Sequence, residues 1–219
     1  MAKLVWDAVG SRLFETGVSN GVLYVRDNTG AYPTGVPWNG LTTVTESPEG
    51  AEDNAQYADN IKYVHIRSAE EYKGTIEAFT YPDEFAECNG ETEVATGVVI
   101  GQQNRKVFGY SWQTRIGDDI DGLDAGYKIH IVWGASASPS EKSYETINDS
   151  PEAMTFSWEV STVPVAVAGH KPVASMTIDS RTLASAKLAL VEAALYGDAS
   201  SGVSHLPTPT EIIAMVSGA

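Results

Sequence analysis

The stretch Met154-Thr155-Phe156-Ser157-Trp158-Glu159-Val160-Ser161 alternates large apolar side chains with polar ones without a break. Successive side chains of a strand point to opposite faces, so this pattern puts Met154, Phe156, Trp158 and Val160 on a buried face and Thr155, Ser157, Glu159 and Ser161 on the other. Working outward, Phe108, Tyr110 and Trp112 alternate with Val107, Gly109, Ser111 and Gln113, and Ile129, Ile131 and Trp133 alternate with Lys128, His130 and Val132. Further strands are predicted at Val22 to Arg26, Leu41 to Ser47, Ile61 to Arg67, Gly74 to Tyr81 and Val173 to Asp179, several rich in Thr, Val, Ile and Tyr. The chain therefore reads as mainly β and antiparallel. Apolar stripes on one side of each strand need a cover, which predicts a two-sheet β-sandwich or flattened barrel.

One flanking helix is predicted near the C-terminus, capped by Asp179 or Ser180, with a stripe of Leu183, Leu188, Val191 and Leu195 and a stop at Gly197. A final helix over Pro209 to Val216 spaces Ile212, Ile213 and Val216 to dock on a neighbour, in the same chain or the next. Long loops are predicted at Asp27 to Gly40, Pro48 to Asn60, Pro82 to Gly97 and Ala135 to Pro151. Compact domains seldom keep such loops idle. Pro33, Pro37, Trp38, Tyr57, Tyr81 and Phe85 lie in or beside them, where they serve either as interface anchors or as caps on the end of the sandwich.

A length of 219 residues and the lack of a repeat or Ser/Gly linker predict a single domain over 1–219, with 198–219 a C-terminal extension after a hinge at Gly197 to Pro209. Lys and Arg number 14 against 29 Asp and Glu, a formal charge of −15, which disfavours gripping phosphate backbones by counterion release. The same acidity also serves solubility alone. Cys88 is the single cysteine, so neither an intrachain disulfide nor a thiolate metal cluster is available. Residues Met1 to Gly10 lack a signal-peptide pattern and no apolar run reaches membrane-spanning length, so a soluble, unexported chain is expected.

Catalytic chemistry finds no home in the sequence. His65, His130, His170 and His205 are widely separated and match no zinc spacing; on strands, His65 and His130 read as satisfied surface or core histidines. Asp118, Asp119, Asp121 and Asp124 suggest a calcium loop, but from Asp119 the fifth position is Leu123, the glycine comes early and no glutamate closes the loop. The segment reads better as an acidic hairpin turn. No phosphate-binding glycine loop, dinucleotide fingerprint or Gly-x-Ser-x-Gly elbow is present, and Asp83-Glu84 and Glu70-Glu71 read as chance acidic pairs. No cofactor or metal is expected. Asn148-Asp149-Ser150 matches a glycosylation acceptor without consequence in an unexported chain.

Several blocks, taken in order, carry a resemblance over nearly the whole chain. They are Leu4-Val5-Trp6-Asp7, Gly30-Ala31-Tyr32-Pro33-Thr34-Gly35-Val36, Trp38-Asn39-Gly40-Leu41, Tyr57-Ala58-Asp59-Asn60-Ile61-Lys62-Tyr63 and Tyr81-Pro82-Asp83-Glu84-Phe85-Ala86-Glu87-Cys88. Ile100-Gly101-Gln102-Gln103, Gly126-Tyr127-Lys128, Ala137-Ser138-Pro139-Ser140-Glu141-Lys142 and Thr146-Ile147-Asn148-Asp149-Ser150-Pro151-Glu152 follow. In this the chain resembles the major tail proteins of long-tailed, non-contractile phages. The resemblance implies a tail tube fold, hexameric rings stacked helically into a tube, and passage of double-stranded DNA and a tape measure protein through the lumen. It also implies tail terminator and distal tail proteins as partners, a place in the virion, and no membrane.

On that basis, neighbouring subunits are expected to align edge strands so that the ring leaves no open edge. Ring-to-ring contact is assigned to the Pro48 to Asn60, Asp27 to Gly40 and Pro82 to Asn89 loops, with Pro33, Trp38, Pro48, Glu49, Asp53, Tyr57, Tyr81, Pro82, Asp83 and Phe85 as contact candidates. Deleting Glu49 to Gln56 is expected to stop elongation. Asp118, Asp119, Asp121 and Asp124 are the lumen candidates. The alternative structural reading is a capsid decoration or other virion β-sandwich protein. A glycan-binding module would use Trp6, Trp38, Trp112, Trp133 and Trp158, of which the last three sit in core-like stripes.

Overall fold

The computed structural model describes residues 3–147, 149, 152–198 and 202–218. Asn148 and Ser150 of the Asn148-Asp149-Ser150 match, Pro151 at the end of the Ala135 to Pro151 connection, and parts of the C-terminal hinge and extension lie outside the described residues. In chain order the strands are β1 (Phe14–Val25), β2 (Gly35–Trp38), β3 (Leu41–Glu46), β4 (Glu49–Gly50), β5 (Asp53–Ala58), β6 (Ile61–Arg67), β7 (Glu70–Glu71) and β8 (Lys73–Ala78). A short helix α1 (Phe85–Cys88) precedes β9 (Thr92–Ala95), β10 (Val98–Ile100), β11 (Phe108–Asp118), β12 (Gly122–Ala137), β13 (Phe156–Thr162) and β14 (Ser175–Asp179). Helices α2 (Ser185–Tyr196) and α3 (Pro209–Ser217) follow.

Eight strands form one antiparallel sheet in the order β2-β1-β11-β12-β13-β8-β3, with β14 beside β12. The sheet does not close: β2 and β3 are its ends, consecutive in sequence yet unpaired with each other. The long strand β12 joins its two halves, pairing β14 through Lys128 to Val132 and β13 through Ala135 to Ala137. Gly134 stands between these stretches with φ +64°, and a Cβ there would meet the Val163 carbonyl oxygen at 2.3 Å. Gly134→Ala is therefore expected to cost at least about 2 kcal/mol, combining backbone strain with a clash. Gly97, at φ +78° in open space, supplies the control. Its alanine variant carries backbone strain alone and should lose clearly less in urea titrations.

In the half of the sheet formed by β1, β11 and β12 both faces are covered. On one, Leu23, Phe108, Tyr110, Trp112 and Val132 share a cluster with Ile76, Trp158 and Val160 of the other half and with Phe85 and Cys88 of α1. On the other, Val22, Tyr24, Ile129, Ile131 and Trp133 pack against Leu188, Val191 and Leu195 of α2 and Ile212 of α3. The alternating stripes of β11 and β12 thus serve opposite faces. Helix α2 starts later than expected: Ala184 occupies its N-cap, and the Asp179 carboxylate accepts the Arg181 N–H in a separate turn. Gly197 ends the helix at φ +77° as predicted. For α3, Thr208 and Glu211 form a reciprocal capping box, and the helix docks within its own chain.

Candidate assembly surfaces

The predicted Pro48 to Asn60 loop is not irregular. It is one side of a long hairpin in which β3 pairs β8, β4 pairs β7 and β5 pairs β6. At its tip Asp59 and Asn60 hold φ +52° and +65°, the two positive values that a tight two-residue turn between twisted strands requires. Directly opposed residues share a face, so Asn54, Gln56 and Ala58 lie with Ile66, Val64 and Ile61, while Asp53, Ala55 and Tyr57 lie with Arg67, His65 and Lys62. One face sets Ile61, Val64 and Ile66 beside the amides of Asn54 and Gln56, and the other is charged, where Asp53 sits against His65 and 4.0 Å from Lys62. Neither is covered: Tyr57, Ile61, Tyr63, Val64 and Ile66 are 44–72% exposed. At the neck Glu49 directly opposes Glu71, a like-charge pair moderated by Lys73 at 2.6 Å from Glu49.

A second naked hairpin, β9–β10, leaves Val94, Val98, Val99 and Ile100 42–57% exposed. The antiparallel register separates the two hairpins. Val25, Phe108, Ala137, Phe156, Ala78 and Leu41 mark one end of the strands, where α1 and β9–β10 attach. Phe14, Gly117, Lys73 and Glu46 mark the other, which carries the β5–β6 arm and the β11–β12 turn.

The contact candidates accordingly divide between two ends. Pro48, Glu49, Asp53 and Tyr57 are exposed on the neck and arm; Pro33 and Asp83 are exposed, and Tyr81 and Pro82 half-buried, at the opposite end. Trp38 and Phe85 need correction, since both are core residues, 3% and 0% exposed. Their rings lie 4.6 Å apart, and the Trp38 indole N–H donates to the Thr80 carbonyl at 3.1 Å, so the loop folds inward and plugs the end of the core. The Asp27 to Gly40 loop is also pinned: Asp27 accepts N–H bonds from Thr29 and Ala31, and Gly35 N–H donates to the Ser204 carbonyl. Of these two hairpins only β6 coincides with an expected strand, Ile61 to Arg67; β5 and β9 lie in stretches read as loops and β10 just beyond one.

The four lumen candidates meet on one exposed turn and help to build it. Asp118 accepts the N–H groups of Ile120 and Asp121 at 2.8 and 2.6 Å, and Asp119 accepts that of Gly10 at 3.0 Å. The Asp121 carbonyl accepts the Asp124 N–H, and the Asp124 carboxylate stands 3.7 Å from Arg115. Among the described residues, no group of three or more His, Cys, Asp or Glu side chains is placed to hold a metal ion. No helix among them is long and apolar enough to cross a membrane.

His130 is held from all sides, stacked on Trp112 at 4.9 Å. The Thr114 hydroxyl donates to Glu15 at 2.5 Å, which leaves its lone pairs for the ring Nε2–H at 2.9 Å; Nδ1 then faces the Thr177 hydroxyl at 3.4 Å. Burial lowers the imidazole's pKa from the ordinary histidine value, against the opposing pull of Glu46 and Glu15 and with a contribution from Lys128. The unfolded chain therefore binds the proton more readily, and stability should fall as pH drops below about 6.5. His130→Gln is expected to flatten chemical denaturation midpoints between pH 7 and 5. The acid limb below about pH 4.5, where Glu15 is held low by Lys128 and Thr114 despite burial, should remain.

No family model matches the chain, and no curated protein matches it. Among solved structures, the anti-feeding prophage baseplate, 6-fold symmetrised, contains a chain that overlaps with TM-score 0.36 and 6% identity, covering 80% of this chain and 97% of that one. A chain of the anti-feeding prophage tube-terminating cap gives 0.33 and 11%, covering 82% and 97%. One of the sheath-tube complex of an extracellular contractile injection system in the extended state gives 0.31 and 12%, covering 80% and 94%. At these TM-scores the overlaps carry no argument about function.

Proposed function

We propose that this chain is the repeating subunit of a phage-type tail tube, a structural protein whose hexameric rings stack head to tail into a conduit for double-stranded DNA. The observation that carries the reading is the polarity of its uncovered surface: hairpins with exposed apolar side chains project from opposite ends of the strands. Large exposed apolar patches mark contact sites, and a contact between two different surfaces of one chain repeats without limit unless it closes on itself. Lateral closure has its own candidates. Strands β3 (Leu-Thr-Thr-Val-Thr-Glu) and β14 (Ser-Met-Thr-Ile-Asp) each have a strand partner on one side only among the described residues, and neither contains the Lys or Pro that guards a free edge. Pairing such edges between subunits removes them around a ring. The formal charge of −15 suits a wall past which DNA moves without being held.

Sedimentation velocity across a hundredfold concentration range tests the reading. Growing species beyond a hexamer are expected; a single monomer boundary throughout would overturn it.

A further inference from the structure

Leu4, Val5 and Trp6 are 71–77% exposed, in a stretch without regular secondary structure, and belong to neither apolar cluster. The root of the stretch is pinned: the Gly10 N–H donates to Asp119 on the β11–β12 turn, and the Arg12 guanidinium donates to the Asp7 carbonyl at 3.3 Å. Residues Lys3 to Trp6 include no proline, so each brings a backbone donor and acceptor for pairing. In its own copy the stretch leads off from β1, which β11 and β12 separate from β14, and its apolar side chains stay in solvent.

Strand β14 has the complementary need. The Trp133 N–H donates to the Ala174 carbonyl and the Ser180 N–H to the Tyr127 carbonyl, which fixes the parity of the β12–β14 ladder. Met176 and Ile178 therefore bond to β12, while the backbone groups of Ser175, Thr177 and Asp179 face away from it. Of these outward groups only the Asp179 carbonyl has a partner among the described residues, accepting the Leu183 and Thr182 N–H groups. Along the same edge runs a cleft of about 290 Å³ walled by Met176, Ile178, Leu183, Ile212 and Val216. Pockets for separate drug-sized molecules begin at roughly 300 Å³, so this cleft suits apolar side chains of an added strand. The free edge of β3 fits the cleft less well, because its Leu41 and Val44 already pack against the core of their own copy.

We propose that residues Lys3 to Trp6 of one copy add as a strand to the open edge of β14 in a second copy, with Leu4 and Trp6 in the cleft and Lys3 and Val5 on the Thr177 side. The proposal rests on the reading above that copies of this chain assemble, and it names the partner of one of the two free edges. Main-chain pairing supplies the attachment and the cleft selects the side chains.

Trp6 gives the test its readout, because it is 74% exposed whereas Trp38, Trp112, Trp133 and Trp158 are at most 4% exposed. In the full chain, acrylamide should quench a tryptophan component in dilute solution that becomes protected as tubes form, and Trp6→Phe should remove that component from the outset. Replacing Leu4 and Trp6 together by Ser should raise the concentration needed for tube formation by roughly tenfold or more at an unchanged melting temperature. Val5→Cys combined with Ser175→Cys or Thr177→Cys, all at exposed positions, locates the seat. Cys88 is fully buried and its thiol is pushed up to about 12 by burial, so it stays silent under mild oxidation. Because the contact joins two different surfaces, a double variant should give a ladder of disulfide-linked oligomers on non-reducing gels, whereas each single variant stops at dimer. A cross-linked monomer would mean that the stretch docks on its own copy, and would overturn the proposal. Tubes that give no ladder, or whose Trp6 stays open to acrylamide, overturn this seat and leave the assembly reading standing. If the unaltered chain forms no tubes, both fall.

Discussion

Removing residues 53–67 and joining Glu52 to Ser68 through Asn-Gly is expected to abolish tubes while leaving the fold and its melting temperature almost unchanged. The arm contributes nothing to either apolar cluster, so its loss exposes no core. Changes confined to exposed surface usually shift stability by about 0.5 kcal/mol or less. Glu52 and Ser68 already exchange hydrogen bonds, with the Ser68 N–H donating to the Glu52 carbonyl at 3.2 Å and the Glu52 N–H to the Ser68 hydroxyl at 3.1 Å. A two-residue turn therefore closes on an existing register. The hairpin also corrects the deletion that the sequence suggested, because removing Glu49 to Gln56 would take one side and strand the apolar residues of β6. Far-UV circular dichroism, melting and electron microscopy of the shortened chain check the expectation. A large drop in melting temperature would show that the arm braces the fold.

Trp158→Ala has the opposite signature, a large loss of stability at a residue far from any surface. Trp158 is fully buried at the middle of an aromatic cluster, with ring centroids 5.0 Å from Phe85, 5.4 Å from Tyr81, 5.7 Å from Trp38 and 5.8 Å from Phe156. Truncating a buried tryptophan costs about 3–5 kcal/mol, a large part of the roughly 5–15 kcal/mol that holds a domain together. In a chain of this size the melting temperature should fall on the order of 10 °C. Trp158→Phe should lose less than half as much, since the ring contacts largely persist. The indole N–H also has no hydrogen-bond partner among the described residues, so no bond is broken. Equal losses in the two variants would contradict a packing role.

Alternation made much of the fold legible. The stripe Phe156-Trp158-Val160 is buried or half-buried as read, whereas Met154, read as its fourth member, precedes the strand and is exposed, and β11 and β12 form the expected hairpin around the acidic turn. Period two says which residues share a strand face but not which face of a shared sheet each strand's stripe joins. Phe108-Tyr110-Trp112 and Ile129-Ile131-Trp133 accordingly ended on opposite sides of one sheet instead of facing each other. The cap residue Asp179 was a sound signal for a turn, but the chain turns once before the helix begins.

The assembly surfaces were less legible because aromatic residues in a loop look alike whether they point outward or inward. Only tertiary packing turned Trp38 and Phe85 into core while leaving Tyr57 and Tyr63 in solvent. The exposure of the apolar strands was illegible for a related reason: a pattern of β-branched residues predicts burial, and in β6, β9 and β10 the isolated chain does not provide it.

Negative-stain electron microscopy of the concentrated, unaltered chain tests the central claim most directly. Hollow rings and head-to-tail tubes with an open lumen are the predicted result; a field of single particles at every concentration would contradict it.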